Sequence, residues 1–298
     1  MPTRRVVVYR TELSLLSFVL AACSSSRTEP RPVSAVGTEL PAESNCPRGT
    51  LPAYAHNDYL NAHPLYEALS LGYKGVEADV FLVNGELQLG HNRRAAAQDG
   101  NFETLYLAPL RALVARCGTL TADGQPFLLT VEIKEESRPT FDTLVAVLAR
   151  YPDVFSPSSG QAAATGRGTP PVQAILVGWY PRGFADSISI PLSRQARLQH
   201  AGKMPADATD RSVGLISLDY SETIGRRWVT PAKRRRWLTA IRATKAAFPA
   251  RVIRAYHVPV NERTYRELLA AGVDLIGTPE LAETARLLGG VAVQDKKP

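Results

Sequence analysis

The sequence has little cysteine and little aromatic content: three cysteines in 298 residues, and 7% Phe, Trp and Tyr. Three cysteines are too few for a disulfide framework to take the place of a hydrophobic core. The aromatics do not alternate with basic clusters, so a nucleic-acid interface has no specific support. No Gly-x-Gly-x-x-Gly follows a strand-like run, which leaves a dinucleotide fold without its fingerprint. Beyond the N-terminus, no apolar run reaches the ~20 residues of a membrane-spanning helix. What remains is a core-stabilised domain, and 45% hydrophobic residues supply that core. The length suits one (β/α)8 barrel of about 250 residues.

The formal charge is +7 and the pI about 9.4. This excess fits an ordinary basic surface, and it would also favour anionic headgroups. Residues 1–23 read as a targeting segment. Arg4, Arg5 and Arg10 form a positive start, and residues 13–22 are apolar but too short to span a bilayer. The run Leu20-Ala21-Ala22-Cys23 resembles a bacterial lipobox. It implies a lipidated Cys23, a membrane anchor and an exported protein of the bacterial cell envelope. Ser24 after the cysteine suits the outer membrane of a Gram-negative source. A plain secretory signal cut near Ala22 is the alternative. Cys46 and Cys117 either pair or remain two buried thiols.

Residues 24–49 are rich in Ser, Pro, Glu and Thr and read as a flexible tether. The folded domain is expected over 50–290, with a tail at 291–298. Within it, strand-like and helix-like runs alternate. Strands are expected at 51–55, 75–83, 86–90, 127–134, 172–178, 184–190, 213–220, 251–257 and 273–278. Helices are expected at 64–71, 102–116, 140–151, 231–248, 262–271 and 279–288. Asn84-Gly85 predicts a tight hairpin turn. Residues 155–170 and 194–210 read as irregular insertions. Repeated β then α with short connections predicts an α/β fold with a parallel sheet. Closed as a TIM-type (β/α)8 barrel it fits the strand count; a doubly wound open sheet is the alternative.

The chemistry gathers at the ends of these strands. Glu77 and Asp79 are two apart on a strand and point to one face, the interior of a barrel. Two carboxylates buried together repel unless a cation lies between them. Glu132 ends a neighbouring strand and completes the cluster. Oxygen ligands select a hard divalent cation, Ca²⁺ or Mg²⁺, and the Asn57 amide offers a further oxygen. Lys134 points the same way as Glu132 and can meet a phosphate oxygen. His56 and His91 follow strand ends and supply an acid/base pair near neutral pH. That set suits a phosphodiester, whose cleavage needs one proton removed and another donated. Asp219 and His257 end late strands and could reach the same pocket; their roles stay open.

The motifs His56-Asn-Asp-Tyr, Val76-Glu-Ala-Asp-Val, Gly90-His91, Leu105-Tyr-Leu-Ala-Pro-Leu110 and Gly272-Val-Asp-Leu-Ile276 resemble the PLC-like phosphodiesterases. Among these they are most similar to the group named for altered inheritance of mitochondria. The resemblance implies a TIM-type barrel, metal at Glu77, Asp79 and Glu132, and His56 with His91 as acid and base. The His56-Asn57 pair is similar to eukaryotic phospholipases C, which implies a metal-ligand role for Asn57. Glycerophosphodiester phosphodiesterases carry His-Arg-Gly there, so the phosphate-binding cation must come from elsewhere, and Lys134 is the candidate.

The expected function is hydrolysis of a glycerophosphodiester or phosphoinositide-like substrate. Either a neighbouring substrate hydroxyl or water attacks. The alternative is a cell-surface binding lipoprotein that keeps the barrel without turnover. A glycosidase fits less well, because its paired acids face each other across a cleft rather than sharing one strand.

Overall fold

Eight parallel strands close on themselves in the computed structural model. It describes residues 46–97, 100–156, 169–184, 192–200, 203–205 and 207–294. The strands are β1 (Ala53–Ala55), β2 (Gly75–Val83), β3 (Glu86–Leu89), β4 (Phe127–Ile133), β5 (Val172–Gly178), β6 (Leu192–Arg197), β7 (Val213–Asp219), β8 (Val252–Tyr256) and β9 (Leu275–Thr278). The ring runs β1-β9-β8-β7-β6-β5-β4-β2, and the pairing of Ala55 with Val76 closes it. β3 stands outside the ring, antiparallel to β2. The Asn84-Gly85 turn between them has φ of 53° and 83°, the left-handed pair that a two-residue hairpin requires.

Helices cover the outside: α1 (Tyr66–Ser70), α2 (Ala108–Cys117), α3 (Arg138–Leu148), α4 (Pro152–Phe155), α5 (Pro231–Ala247), α6 (Glu262–Ala270) and α7 (Leu281–Gln294). A π-helical turn at Glu103–Leu107 leads into α2. Ser137, Thr230 and Asn261 cap α3, α5 and α6, each accepting a hydrogen bond from the third residue on. No helix among the described residues is long and apolar enough to cross a membrane.

Strand alternation separates two cores. One set of residues packs outward against the helices, including Ala53, Ala55, Val76, Val131, Ile253 and Ile276. The other fills the barrel: Tyr54, Leu128, Ile175, Leu215 and Leu275 form a separate buried cluster. Inward positions recur every second residue. The apolar inner layer therefore gives way, toward the C-terminal rim, to polar residues on the same faces.

The expected elements are largely present, with small changes at their ends. One differs. The strand expected at 184–190 falls mostly outside the described residues. The fifth barrel strand, β6, is Leu192–Arg197, partly inside a region read as irregular. Its inward residues Gln195 and Arg197 are polar, so no apolar run announces it. The ordered contacts also begin earlier than residue 50. Cys46 is disulfide-bonded to Cys117 at the end of α2, and the Gly49 amide donates to the Leu120 carbonyl. The expected signal segment, lipobox and most of the tether lie outside the described residues, as does most of the loop expected at 155–170.

Candidate metal-binding site at the barrel mouth

Parallel register places the acids. Asp79 on β2 pairs directly with Glu132 on β4, and Glu77 pairs with Thr130. Paired residues on adjacent parallel strands point to the same side, so all three carboxylates enter the barrel. Glu77, Asp79 and Glu132 each offer an oxygen within 4.8 Å of the others. Glu77 and Asp79 are fully buried. At the end of β5, Gly178 has φ 74° and lies against Glu132; a Cβ there would sit 2.3 Å from the Ile133 carbonyl. Only glycine gives this edge of the site its room.

Cations and donors surround the acids. Lys134 Nζ lies 2.9 Å from Asp79 Oδ2 and 3.0 Å from Glu132 Oε2. The Tyr59 hydroxyl donates to Asp79 Oδ2 at 2.8 Å. Arg254, completely buried on β8, reaches Glu77 Oε1 at 3.4 Å, and donates to Gln195 Oε1 at 3.0 Å and Ser217 Oγ at 3.2 Å. Its guanidinium lies over the Tyr54 ring, 4.6 Å from the centroid.

The charges shape the acids. Burial pushes Glu77 up, but Arg254, then His56 and Lys134, more than offset it and hold its carboxyl near 2. Glu132 is raised, first by burial and then by Asp79 and Glu77, with Lys134 opposing. For Lys134, burial favours the neutral amine, yet Asp79 and Glu132 outweigh it and keep the ammonium. Three acids face two cations, Lys134 and Arg254. Asp79 Oδ1 is buried without a hydrogen-bond partner, and Glu77 Oε2 has only His56 Nδ1 beside it. Such oxygens are costly unless a cation meets them. An all-oxygen donor set with an orphaned Asp79 Oδ1 and a residual negative charge fits a hard divalent cation.

His56 follows β1, and its amide donates to the Thr278 carbonyl at 3.0 Å. Its Nδ1 lies 2.7 Å from Glu77 Oε2. Its ring stacks on Tyr256 at 6.0 Å and meets the edge of His257 at 5.4 Å. His91 is looser: Nδ1 is 3.4 Å from Asp79 Oδ2, and the side chain is 62% exposed. Asn57 lines the same cavity in a left-handed conformation, φ 51°. Asp58 beside it is buried and structural. It accepts from the Leu65 amide at 2.6 Å and the Tyr106 hydroxyl at 2.9 Å, which pins the loop that carries His56. Burial raises its carboxyl to about 6.

All seven residues singled out in the sequence therefore border one region, and His56, Asn57, Glu77, His91, Glu132 and Lys134 line one cavity of about 190 Å³. The opposite wall holds residues that sequence reading left open or missed. His257 Nδ1 lies 3.0 Å from Asp219 Oδ2, and Ser221 and the Glu222 amide hold that carboxylate. Arg254 had a signal. In Val252-Ile253-Arg254-Ala255-Tyr256 the outward face is Ile253 and Ala255, so the cation between them faces inward. Arg93, two residues after His91, pairs with Glu135 at 2.7 Å.

The fold is a TIM-type (β/α)8 barrel with an acid cluster at its mouth. Residues 48–125 match the family described as the AIM6-like phosphodiesterase domain. An altered inheritance of mitochondria protein 6 homolog from Arthroderma benhamiae is 30% identical over 118 residues, 33% of this chain and 38% of that protein. The protein 6 of Eremothecium gossypii is 29% identical over 157 residues, 48% of this chain and 40% of that protein. The chain thus spans less than half the length of these curated relatives. Among solved structures, a glycerophosphodiester phosphodiesterase from Agrobacterium tumefaciens is 14% identical with a TM-score of 0.47, covering 81% of this chain and 100% of that one. A phosphodiesterase from Oleispira antarctica, solved with sn-glycerol-3-phosphate, is 14% identical with a TM-score of 0.45, covering 81% and 97%.

These relatives correct one expectation. A lipidated Cys23 in a bacterial cell envelope presupposes bacterial export machinery. The curated relatives are fungal proteins named for mitochondrial inheritance, from Arthroderma benhamiae, Eremothecium gossypii and Lachancea thermotolerans.

Proposed function

We propose that the chain is a metal-dependent phosphoric diester hydrolase acting on a glycerophosphodiester or phosphoinositide-like substrate. The observation that carries this reading is the acid cluster of Glu77, Asp79 and Glu132, beside a cavity that Glu77, Glu132, His56 and His91 line together. These acids, with the Asn57 amide, would hold one divalent cation, Ca²⁺ or Mg²⁺. When bound, it would offset charge on the phosphoryl oxygens. Lys134 adds a positive charge at the same edge.

His56 and His91 divide the proton work. With Nδ1 turned to Glu77, His56 presents Nε2 to the substrate. One imidazole takes the proton of the attacking hydroxyl as the new O–P bond forms. The other gives a proton to the leaving oxygen as the old P–O bond breaks. Glu77, held ionised by Arg254, steadies His56 whichever form the ring takes. The attacking hydroxyl belongs either to the substrate or to water.

The test is hydrolysis of bis(p-nitrophenyl) phosphate with Ca²⁺ or Mg²⁺. We expect turnover in the parent chain and its loss, by at least about 10²-fold, in His56→Ala and His91→Ala. Full activity in both variants would remove the mechanism. No turnover in the parent under any divalent cation would favour a binding barrel instead.

A further inference from the structure

We propose that a second, larger cavity beside the acid site is a subsite for a phosphate monoester carried by the substrate away from the scissile bond. This deepens the hydrolase reading and rests on it.

Size gives the first argument. The acid cavity holds about 190 Å³, below the ~300–1,000 Å³ usual for ligand pockets, so a substrate must extend out of it. A cavity of about 590 Å³ adjoins it, and Val177, Gln195 and Arg197 line both. Strand geometry explains the continuity. Gln195 and Arg197 are successive inward positions of β6, and Arg197 is the last residue of that strand. A molecule with one phosphate over the acid cluster would pass Arg197 to enter the larger space.

Charge gives the second. The residues lining the larger cavity include Arg194, Arg197 and Lys203 against one carboxylate, Asp207. Arg194 is already committed, to Asp207 at 2.5 Å and Asp210 at 2.8 Å. Among the described residues, Arg197 and Lys203 have no carboxylate partner. His200 adds a third nitrogen donor to the same wall. The acid site differs: its two paired cations, Lys134 and Arg254, are outnumbered by the carboxylates of Glu77, Asp79 and Glu132. The two spaces therefore suit different parts of one ligand: a metal-bound diester in one, a free anion in the other. A guanidinium and an ammonium together match a dianionic phosphate better than a neutral polyol or a quaternary amine.

The test compares glycerophosphoglycerol with the same diester bearing a terminal phosphate monoester. We expect the parent chain to favour the phosphorylated diester by about tenfold or more in kcat/KM, mainly through KM. In Arg197→Ala/Lys203→Ala that ratio should fall to near one. A ratio unchanged by the double substitution would overturn the subsite while leaving hydrolysis intact. Binding separates the two claims. Calorimetric titration with glycerol 1,3-bisphosphate and with glycerol 3-phosphate needs no turnover. Tighter binding of the bisphosphate, lost in the double variant, would sustain the subsite even if hydrolysis failed. Equal affinity for the two would refute it. Circular dichroism of the variant checks that the barrel is retained.

Discussion

Arg254 and Glu77 face each other inside the barrel at 3.4 Å, each with only 2% of its side chain exposed. They come from β8 and β2, at opposite ends of the domain sequence. Removing one partner strands a charge in the interior, which typically costs about 3–5 kcal/mol. Arg254→Met is therefore expected to lose roughly that much unfolding free energy in urea. The sign with pH follows from Glu77. Its folded carboxyl sits near 2, below the ordinary 4.5, so its contribution is present above 4.5 and fades as pH falls through 2. Arg254→Met should flatten that acid limb. A loss under about 1 kcal/mol would show that the pair contributes little.

Asp58 has the opposite sign. Burial raises its carboxyl from 3.8 to about 6. Its contribution is full below 3.8 and is lost as pH rises through about 6. Asp58→Asn keeps the shape without the titration. The difference between parent and variant should change by on the order of 2 kcal/mol between pH 4 and 7. Parallel stability curves would contradict this.

The pairing of Cys46 with Cys117 closes a separation of 71 residues. In the chain-entropy picture such a bond stabilises by about 4 kcal/mol. Cys117→Ser should lower the denaturant midpoint accordingly, and a reductant should do the same to the parent only. An unchanged midpoint would mean that the residual unfolded structure already holds these ends together.

His257 occupies the left-handed region at φ 52°, where a side chain costs about 1–2 kcal/mol. Glycine there removes both the strain and the ring that abuts His56. His257→Gly is expected to hold or gain stability, by up to about 1 kcal/mol, while hydrolysis falls by tenfold or more. Lost stability with unchanged hydrolysis would make the residue structural only.

Much of this site was legible because strands encode direction. Glu77 and Asp79, two apart in an apolar run, had to share an interior face, and Glu132 followed from the next parallel strand. The eight-strand ring was legible from the βα alternation. Three features escaped. β6 carries Ser, Arg and Gln where its neighbours carry Val and Ile, since its inward face lines polar cavities. Arg254 has a partner 177 residues away, a distance that no local pattern reports. Asp58 sits inside a motif that draws attention to His56, although its own contacts are to Leu65 and Tyr106. Cellular placement was misread because a short N-terminal motif was made to carry it alone.

The most direct measurement is a crystal soaked in Mn²⁺ and read by anomalous scattering. A single strong peak is expected within about 2.0–2.6 Å of oxygens from Glu77, Asp79 and Glu132, beside the His56 and His91 imidazoles. A peak held by other residues, or none among these three acids, would contradict it.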